Sequence, residues 1–149
     1  MVDVDYHIHP GTHPDLLSEA LDWALRIRRL DVFVFCRELA DIKEKYARPS
    51  MDLYPRRLCK YEDFGHRWRF YNGSVVQFCC CPAGQTPVGK PWEDVWNFAG
   101  CEMHLLLVDT PSEFTEFQLA YLKSRVRLPN YSAEVPFEYK EMIPGIIYG

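Results

Sequence analysis

Long hydrophobic runs and an excess of positive charge are both missing from this sequence. No apolar stretch approaches the roughly 20 residues that a membrane-spanning helix needs. The 17 Lys and Arg residues stand against 21 Asp and Glu, so the formal net charge is −4 and does not indicate non-specific nucleic-acid binding. Residues 1–5 lack the basic and apolar regions of a signal peptide. We therefore expect a cytoplasmic protein with no membrane partner.

The composition predicts one domain with a real hydrophobic core. Hydrophobic residues make up 48% of the 149 positions and aromatic residues 15%, which argues against disorder. Side chains in the run Cys79–Cys81 would alternate across a strand, a poor geometry for tetrahedral zinc. We expect the six cysteines to be buried small side chains rather than ligands: Cys36, Cys59, Cys79, Cys80, Cys81 and Cys101.

The first third of the chain follows a helix–strand–helix order. Apolar residues recur with helical spacing from Pro14 to Arg28, and Thr12 or His13 is the expected N-cap. The run Asp31–Cys36 is rich in Val and Phe and predicts a buried strand. A second helix is expected over residues 37–46, ending before a proline at position 49. This order is typical of a parallel α/β sheet.

The remaining segments predict further strands and one more helix. Two alternating segments flank Asn72-Gly73 within residues 66–78, which predicts a hairpin with a type I′ turn. Residues 82–96 are rich in Pro and Gly and predict an irregular loop. A buried strand is expected over residues 104–109, a helix over 115–127, a loop over 129–144 and the start of another strand at 146–148.

These segments resemble, in the same order, the ATPase domain of the large terminase subunit of tailed phages, which drives DNA into procapsids. The matching pieces are the aromatic and Asn-Gly-Ser hairpin at 68–78, the segment 97–100, the Walker B-like strand 105–109, the helix after it, and the segments 136–140 and 146–149. The resemblance implies a truncated P-loop NTPase-like sheet, flanked by helices and carrying a β-hairpin insertion. Residues 1–149 would form one degenerate domain of this kind.

The chain departs from that family at the positions where hydrolysis needs specific residues. The Walker B-like strand ends in Asp109, but Thr110 occupies the position of the catalytic Glu. In place of the phosphate loop, residues 9–15 contain one glycine, two prolines and no lysine. The family's coupling motif and nuclease domain have no counterpart in residues 1–149. We therefore expect no hydrolysis and no cofactor, with Mg-ATP as the one ligand that the resemblance leaves open.

Two functions follow from the resemblance. The first is a non-catalytic phage or prophage protein that binds a protein partner. By analogy with other small acidic phage proteins, that partner could be a bacterial defence complex, as for an anti-CRISPR inhibitor. The second is a terminase fragment that still binds ATP in DNA packaging and contacts a packaging component. Both place the protein in the cytoplasm of the host bacterium.

The candidate contact residues are basic and aromatic. The partner-binding candidates are Arg67, Arg69, Trp92, Trp96, Arg125 and Arg127. Aromatic side chains on a loop are frequent hot spots of protein interfaces, and the arginines leave nucleic acid open as a partner. The apolar strand at 146–148 would also allow pairing with a second copy in a homodimer.

A third function rests on a different motif. His7 and His9 form a His-x-His pair that, on a strand, places both imidazoles on one face. The pair resembles the first motif of amidohydrolases and PHP phosphoesterases, which bind catalytic metals. Those families need further ligands on later strands, and the other histidines here are His13, His66 and His104. His7 and His9 are therefore candidate metal ligands of a metal-dependent hydrolase.

Overall fold

Seven strands form one mixed sheet in the computed structural model, which describes residues 7–8, 10–11, 13, 15–80, 103–127 and 134–149. The strands are β1 (His7–Ile8), β2 (Asp31–Cys36), β3 (Cys59–Glu62), β4 (Arg67–Phe70), β5 (Val75–Cys80), β6 (Leu105–Val108) and β7 (Gly145–Tyr148). Their order across the sheet is β1-β7-β6-β2-β5-β4-β3. The first five in that order are parallel, whereas β4 pairs antiparallel with β5, and β3 pairs antiparallel with β4.

Helical segments cover both faces of the sheet. The α-helices are α1 (Leu16–Arg26), α2 (Leu39–Asp41), α3 (Arg48–Leu53) and α4 (Glu116–Lys123), and a π-helical segment, Ile42–Ala47, joins α2 to α3. On one face, α1 and the segment 42–54 pack on the inward side chains of β2, β6 and β5. On the other face, α4 packs on Phe33, Phe35, Leu106 and Val108. None of the described helices is long and apolar enough to span a membrane.

The expected α/β class is confirmed, but the sheet is mixed rather than parallel with an inserted hairpin. Strand β3 was not predicted from the sequence, and it extends the β4–β5 hairpin into a three-stranded antiparallel unit. The strands predicted at 31–36, 104–109 and 146–148 correspond to β2, β6 and β7 within about one residue. Of the six cysteines, Cys36, Cys59, Cys79 and Cys80 are buried as expected, while Cys81 and Cys101 lie outside the described residues.

The turn at Asn72-Gly73 differs from the predicted type I′ turn. Gly73 has a φ of 91°, whereas Asn72 keeps a negative φ. The Phe70 N–H donates to the Ser74 carbonyl at 2.8 Å and the Gly73 N–H to the Phe70 carbonyl at 2.9 Å, which defines a three-residue loop with glycine in the left-handed position. The Asn72 side chain is committed elsewhere, because its amide donates to the Ala24 carbonyl of α1 at 2.8 Å.

The end of α1 is fixed by the same turn. The Ser74 hydroxyl donates to the Ile27 carbonyl at 2.6 Å and accepts from the Leu30 N–H at 3.0 Å. These bonds satisfy backbone groups at the buried helix end, which would otherwise lack partners. The Asn-Gly-Ser sequence therefore ties the exit of α1 and the entry of β2 to the hairpin.

The start of the first helix and the end of the second helical run differ from the prediction. The N-cap of α1 is Asp15, whose carboxylate accepts from the Ser18 N–H at 2.8 Å, rather than Thr12 or His13. Pro49 does not end the second helical run, because it lies in the first turn of α3 after the π-helical segment. A proline is tolerated at that junction, where its missing N–H removes no bond within α3.

The helix predicted at 115–127 is shorter than expected. It is α4, which starts at a capping box in which Thr115 and Gln118 bond each other's backbone N–H groups at 3.0 Å. After Lys123 the chain turns, and Val126 forms a bridge to Met103, which lies two residues before β6. The predicted loop at 129–144 is described from Glu134 and includes one 3-10 turn.

A buried histidine links the starts of β2 and β6. The Asp31 N–H donates to His104 Nδ1 at 2.9 Å, and the His104 N–H donates to the Asp31 carbonyl at 3.1 Å. His104 is only 2% exposed, and this burial lowers its pKa to about 4. The ring is therefore neutral at physiological pH, with Nδ1 as the acceptor.

We predict an acid-dependent loss of stability from His104. The folded-state pKa of about 4 lies below the unfolded value of about 6.5, so the contribution is complete above about pH 6.5 and is lost as the pH falls towards 4. Urea unfolding at several pH values should show a loss approaching about 3 kcal/mol from this group. His104→Gln should flatten that dependence, whereas the control His7→Gln, at an exposed position, should retain it. An unchanged slope in His104→Gln would contradict the assignment.

Candidate functional site

A cleft of about 700 Å³ opens at the carboxyl ends of the parallel strands. Its walls come from the chain after β1, the first turns of α1, the π-helical segment and the ends of β6 and β7. The chain leaves β1 towards α1 on one face and leaves β6 towards α4 on the other. Such a switch in direction opens a crevice at the strand ends, where α/β proteins bind ligands.

Asp109 lies at the bottom of this cleft, directly after β6. Its Oδ2 atom accepts a hydrogen bond of 2.6 Å from the Tyr46 hydroxyl, and its Oδ1 atom accepts one of 3.1 Å from Thr110. Burial and the bond to Asp109 raise the pKa of Tyr46, which stays protonated as the donor. Thr110 has a left-handed φ of 51° and starts a 3-10 turn. The acceptor oxygens of Asp109 are thus both engaged within the protein.

The lining of the cleft includes a second carboxylate, which is fully buried. Glu19, in the first turn of α1, is 1% exposed. Its Oε1 atom accepts from Trp23 Nε1 at 2.9 Å, and its Oε2 atom accepts from the backbone N–H of His13 at 2.8 Å. The chain before α1 therefore directs a backbone donor at a carboxylate of its own helix.

The N-terminus of α1 is occupied in the same way. Asp15 accepts from the Ser18 N–H and from the Ser18 hydroxyl. A helix N-terminus with unpaired N–H groups attracts anions, because the groups and the helix dipole favour negative charge. Here, Asp15 and Glu19 supply that negative charge from within the chain.

Few cations line the cleft, and those nearby face carboxylates. Lys45 lies on the wall, with its Nζ 3.9 Å from Asp41 Oδ2. Arg37, directly after β2, donates to the Glu113 carbonyl and has its Nε 3.9 Å from Glu38 Oε1. The lining includes three carboxylates and one lysine.

Cys36 is the last residue of β2, and its buried thiol has a raised pKa. Burial, with the nearby charges of Asp41 and Asp109, raises the pKa of its thiol to about 12. The thiol donates weakly to the carbonyls of Glu38 and Cys79, at 3.4 and 3.3 Å. A thiol with so high a pKa stays protonated, so it lacks the thiolate needed for attack.

Two of the predicted partner-binding arginines lie together at the far end of the sheet. Arg67 and Arg69 share one face of β4, as the sequence predicted, and both pair with Glu62 on β3. Arg125 and Arg127 follow the end of α4, where each bonds Ser124. These two pairs lie on different elements, and neither lines the cleft. Trp92 and Trp96 lie outside the described residues.

The proposed metal pair is described only in part. His7 is exposed on β1, whereas His9 lies outside the described residues. Among the residues that the structure does describe, no group of three or more His, Cys, Asp and Glu could hold a metal. His13, a further imidazole nearby, lies 2.9 Å from Asp22. The metal hypothesis stays a prediction.

The sequence analysis identified Asp109 but neither Tyr46, which donates to it, nor Glu19, the buried carboxylate of the same cleft. Tyr46 falls at the end of the second predicted helix and Glu19 within the first, and the sequence analysis assigned a site role to neither. A glutamate on the apolar face, four residues before a tryptophan, was the available signal. Comparisons with family models, with curated proteins and with solved structures found no match.

We predict that Glu19 contributes more to stability than a glutamate in an equivalent helical position. Glu19→Ala leaves the buried Trp23 Nε1–H without this acceptor, a loss that typically costs about 1–3 kcal/mol, and it also removes the part-buried bond from the His13 N–H. Glu116→Ala is the control, because Glu116 also lies in the first turn of a helix but is exposed. It should change the free energy of unfolding by less than about 1 kcal/mol. Equal effects in denaturant unfolding would contradict a structural role for Glu19.

Proposed function

We propose that this chain is a non-catalytic protein of phage or prophage origin, built on a degenerate terminase-type ATPase sheet, and that it acts by binding a protein partner. The position of Asp109 supports the ATPase-like part of the proposal. It follows a fully buried strand and faces the same cleft as the chain between β1 and α1. In a nucleotide-hydrolysing sheet, these are the positions of the metal-binding Asp and the phosphate loop.

The observation that carries the non-catalytic part is the bond from the His13 N–H to Glu19. In a phosphate loop, backbone donors before the first helix point at phosphate oxygens. At the corresponding place in this chain, the His13 N–H donates to the buried Glu19 carboxylate at 2.8 Å. Two like unit charges about 4 Å apart repel by about 4 kcal/mol at the effective dielectric near a protein surface. A triphosphate brought to this wall would meet Glu19 and Asp15, and residues 9–15 contain no lysine to offset them.

The hydrogen bonds of Asp109 support the same conclusion. Both oxygens of Asp109 accept hydrogen bonds from hydroxyls of the chain, so Tyr46 and Thr110 compete with a magnesium ion for this carboxylate. Thr110 itself cannot act as a general base, since a hydroxyl lacks the basicity of a carboxylate. We therefore place the function at the protein surface, where basic and aromatic side chains can contact a partner.

A second candidate is a packaging fragment that binds ATP without hydrolysing it. The size of the cleft favours this candidate, because about 700 Å³ lies within the range of small-molecule sites. Lys45 on the wall is the one cation that could approach a phosphate. The two candidates differ in one measurable property, which is the response of the folded chain to Mg-ATP.

We predict that Mg-ATP does not stabilise the chain. A ligand at about 100 times its dissociation constant adds roughly 2.7 kcal/mol, so a thermal shift experiment would detect binding readily. We expect no shift with Mg-ATP or Mg-ADP, and no phosphate release. A shift that disappears in Asp109→Asn would instead support the ATP-binding fragment.

The partner-binding part needs a positive result. The intact chain should retain one protein in stoichiometric amount from bacterial lysate, equally with and without Mg-ATP. Retention of a packaging component only in the presence of Mg-ATP would overturn the proposal, and so would failure to retain any protein.

A further inference from the structure

We propose that the edge strand β3 binds an extended, acidic segment of a partner protein, which adds a strand to the sheet beside Lys60 and Tyr61. This inference rests on the proposed function, since it names the kind of partner and the surface. Strand β3 is the last strand at its end of the described sheet. An edge strand presents backbone groups that a second chain can pair with.

The register shows which residue of β3 offers those groups. The Tyr71 N–H donates to the Leu58 carbonyl at 3.0 Å, so this position pairs towards β4. In an antiparallel ladder the direction of the backbone N–H and C=O groups alternates along the strand, so those of Lys60 and Glu62 also point towards β4. The backbone groups of Cys59 and Tyr61 point away from β4, and the Cys59 N–H already donates to the Pro55 carbonyl at 3.2 Å. The backbone of Tyr61 is therefore the centre of the proposed pairing.

One side of this edge has a cavity for apolar side chains. A cavity of about 380 Å³ is lined by Met51, Arg56, Cys59, Lys60, Tyr61, Trp68 and Tyr71. Trp68 is buried at its base, and Tyr71 is largely exposed at its rim. Within the described part of the chain, the Tyr61 hydroxyl is buried without a hydrogen-bond partner.

The other side of the edge is basic. Lys60 lies directly opposite Arg69, and both are exposed. Residues 55–70 contain five Lys and Arg against two carboxylates, although the whole chain has a formal charge of −4. Glu62 pairs with Arg67 and Arg69, so Lys60 is the cation of β3 outside that ion-pair network.

These two sides specify the sequence pattern of the partner segment. Successive residues of a strand point to opposite faces, so a segment beside β3 would place every second side chain towards the cavity. The alternate side chains would lie beside Lys60, where carboxylates are favoured. The fitting segment alternates apolar and acidic residues.

A direct binding experiment tests this proposal on the intact chain. The probe is a fluorescent peptide of four Glu-Val repeats, measured by anisotropy, with four Lys-Val repeats as the charge control. Four Glu-Pro repeats keep the charge but lack the donors and conformation for a sheet ladder. We expect both controls to bind at least about tenfold more weakly. Hydrogen exchange should show protection of the Tyr61 amide by the Glu-Val peptide.

A matched pair of variants locates the site. Lys60→Glu replaces an attractive pair across the strands with a repulsive one, so the affinity should fall about fivefold. Lys43→Glu makes the same change at an exposed position on the π-helical segment, and the affinity should remain the same. Both substitutions are at exposed sites, so the fold should tolerate them.

Three outcomes would overturn the inference. They are no binding of the Glu-Val peptide at about 1 mM, equal binding of the Glu-Pro peptide, and stronger binding of an oligothymidine of eight nucleotides. The last would indicate that this surface binds nucleic acid. Binding of Mg-ATP would contradict the proposed function but leave the peptide results unaffected, so the two failures are distinguishable.

Discussion

The structure depends on the pairing and burial of β2. All six of its residues pair in register with β5, and four of them also pair with β6, so its backbone is bonded on both sides. Its side chains alternate between the two hydrophobic clusters, with Val32, Val34 and Cys36 on one face and Phe33 and Phe35 on the other. A parallel strand in this position must be covered on both faces. The placement of α1 and α4 on opposite faces follows, and the cleft opens where their connections diverge.

The polar anchors of this core are as specific as its packing. His104 joins the starts of β2 and β6, and Ser74 joins the end of α1 to the start of β2. Each is a buried polar residue with partners from distant parts of the chain, so its loss would leave backbone groups unpaired. These contacts fix the register of the central strands more narrowly than hydrophobic burial alone, since apolar side chains tolerate repacking.

The sequence predicted the elements that are defined by local patterns. The run of Val and Phe at 31–36 and the apolar run before Asp109 carried enough signal to locate β2 and β6. Strand β3 was missed because its sequence, Cys59–Glu62, is half polar, and it is a strand through pairing with β4. Pro49 was wrongly predicted to end the second helix. A π-helical segment leads directly into α3, and single-residue propensity does not reveal such a segment. The resemblance to terminases still rests on the sequence segments alone.

For the candidate site, the sequence identified Asp109 but not what surrounds it. Asp109 and Tyr46 are far apart in the sequence, and only the fold brings them together. Glu19 and His13 are close in the sequence, but the role of Glu19 depends on its burial. Arg67 and Arg69 were correctly placed on one strand face, but their shared partner Glu62 belongs to the unpredicted strand. Long-range polar pairing is the part of a site that composition and periodicity cannot supply.

The carboxylates at the start of α1 have a consequence for how the fold responds to its surroundings. A loop that waits for a phosphate has unsatisfied donors when empty, and so exchanges between two states as ligand comes and goes. Glu19 and Asp15 are covalently part of the chain, so their effective concentration never changes. Under the proposed function, a sheet whose first loop contains an internal anion keeps one geometry with or without nucleotide, and it presents the same outer surface to its partner.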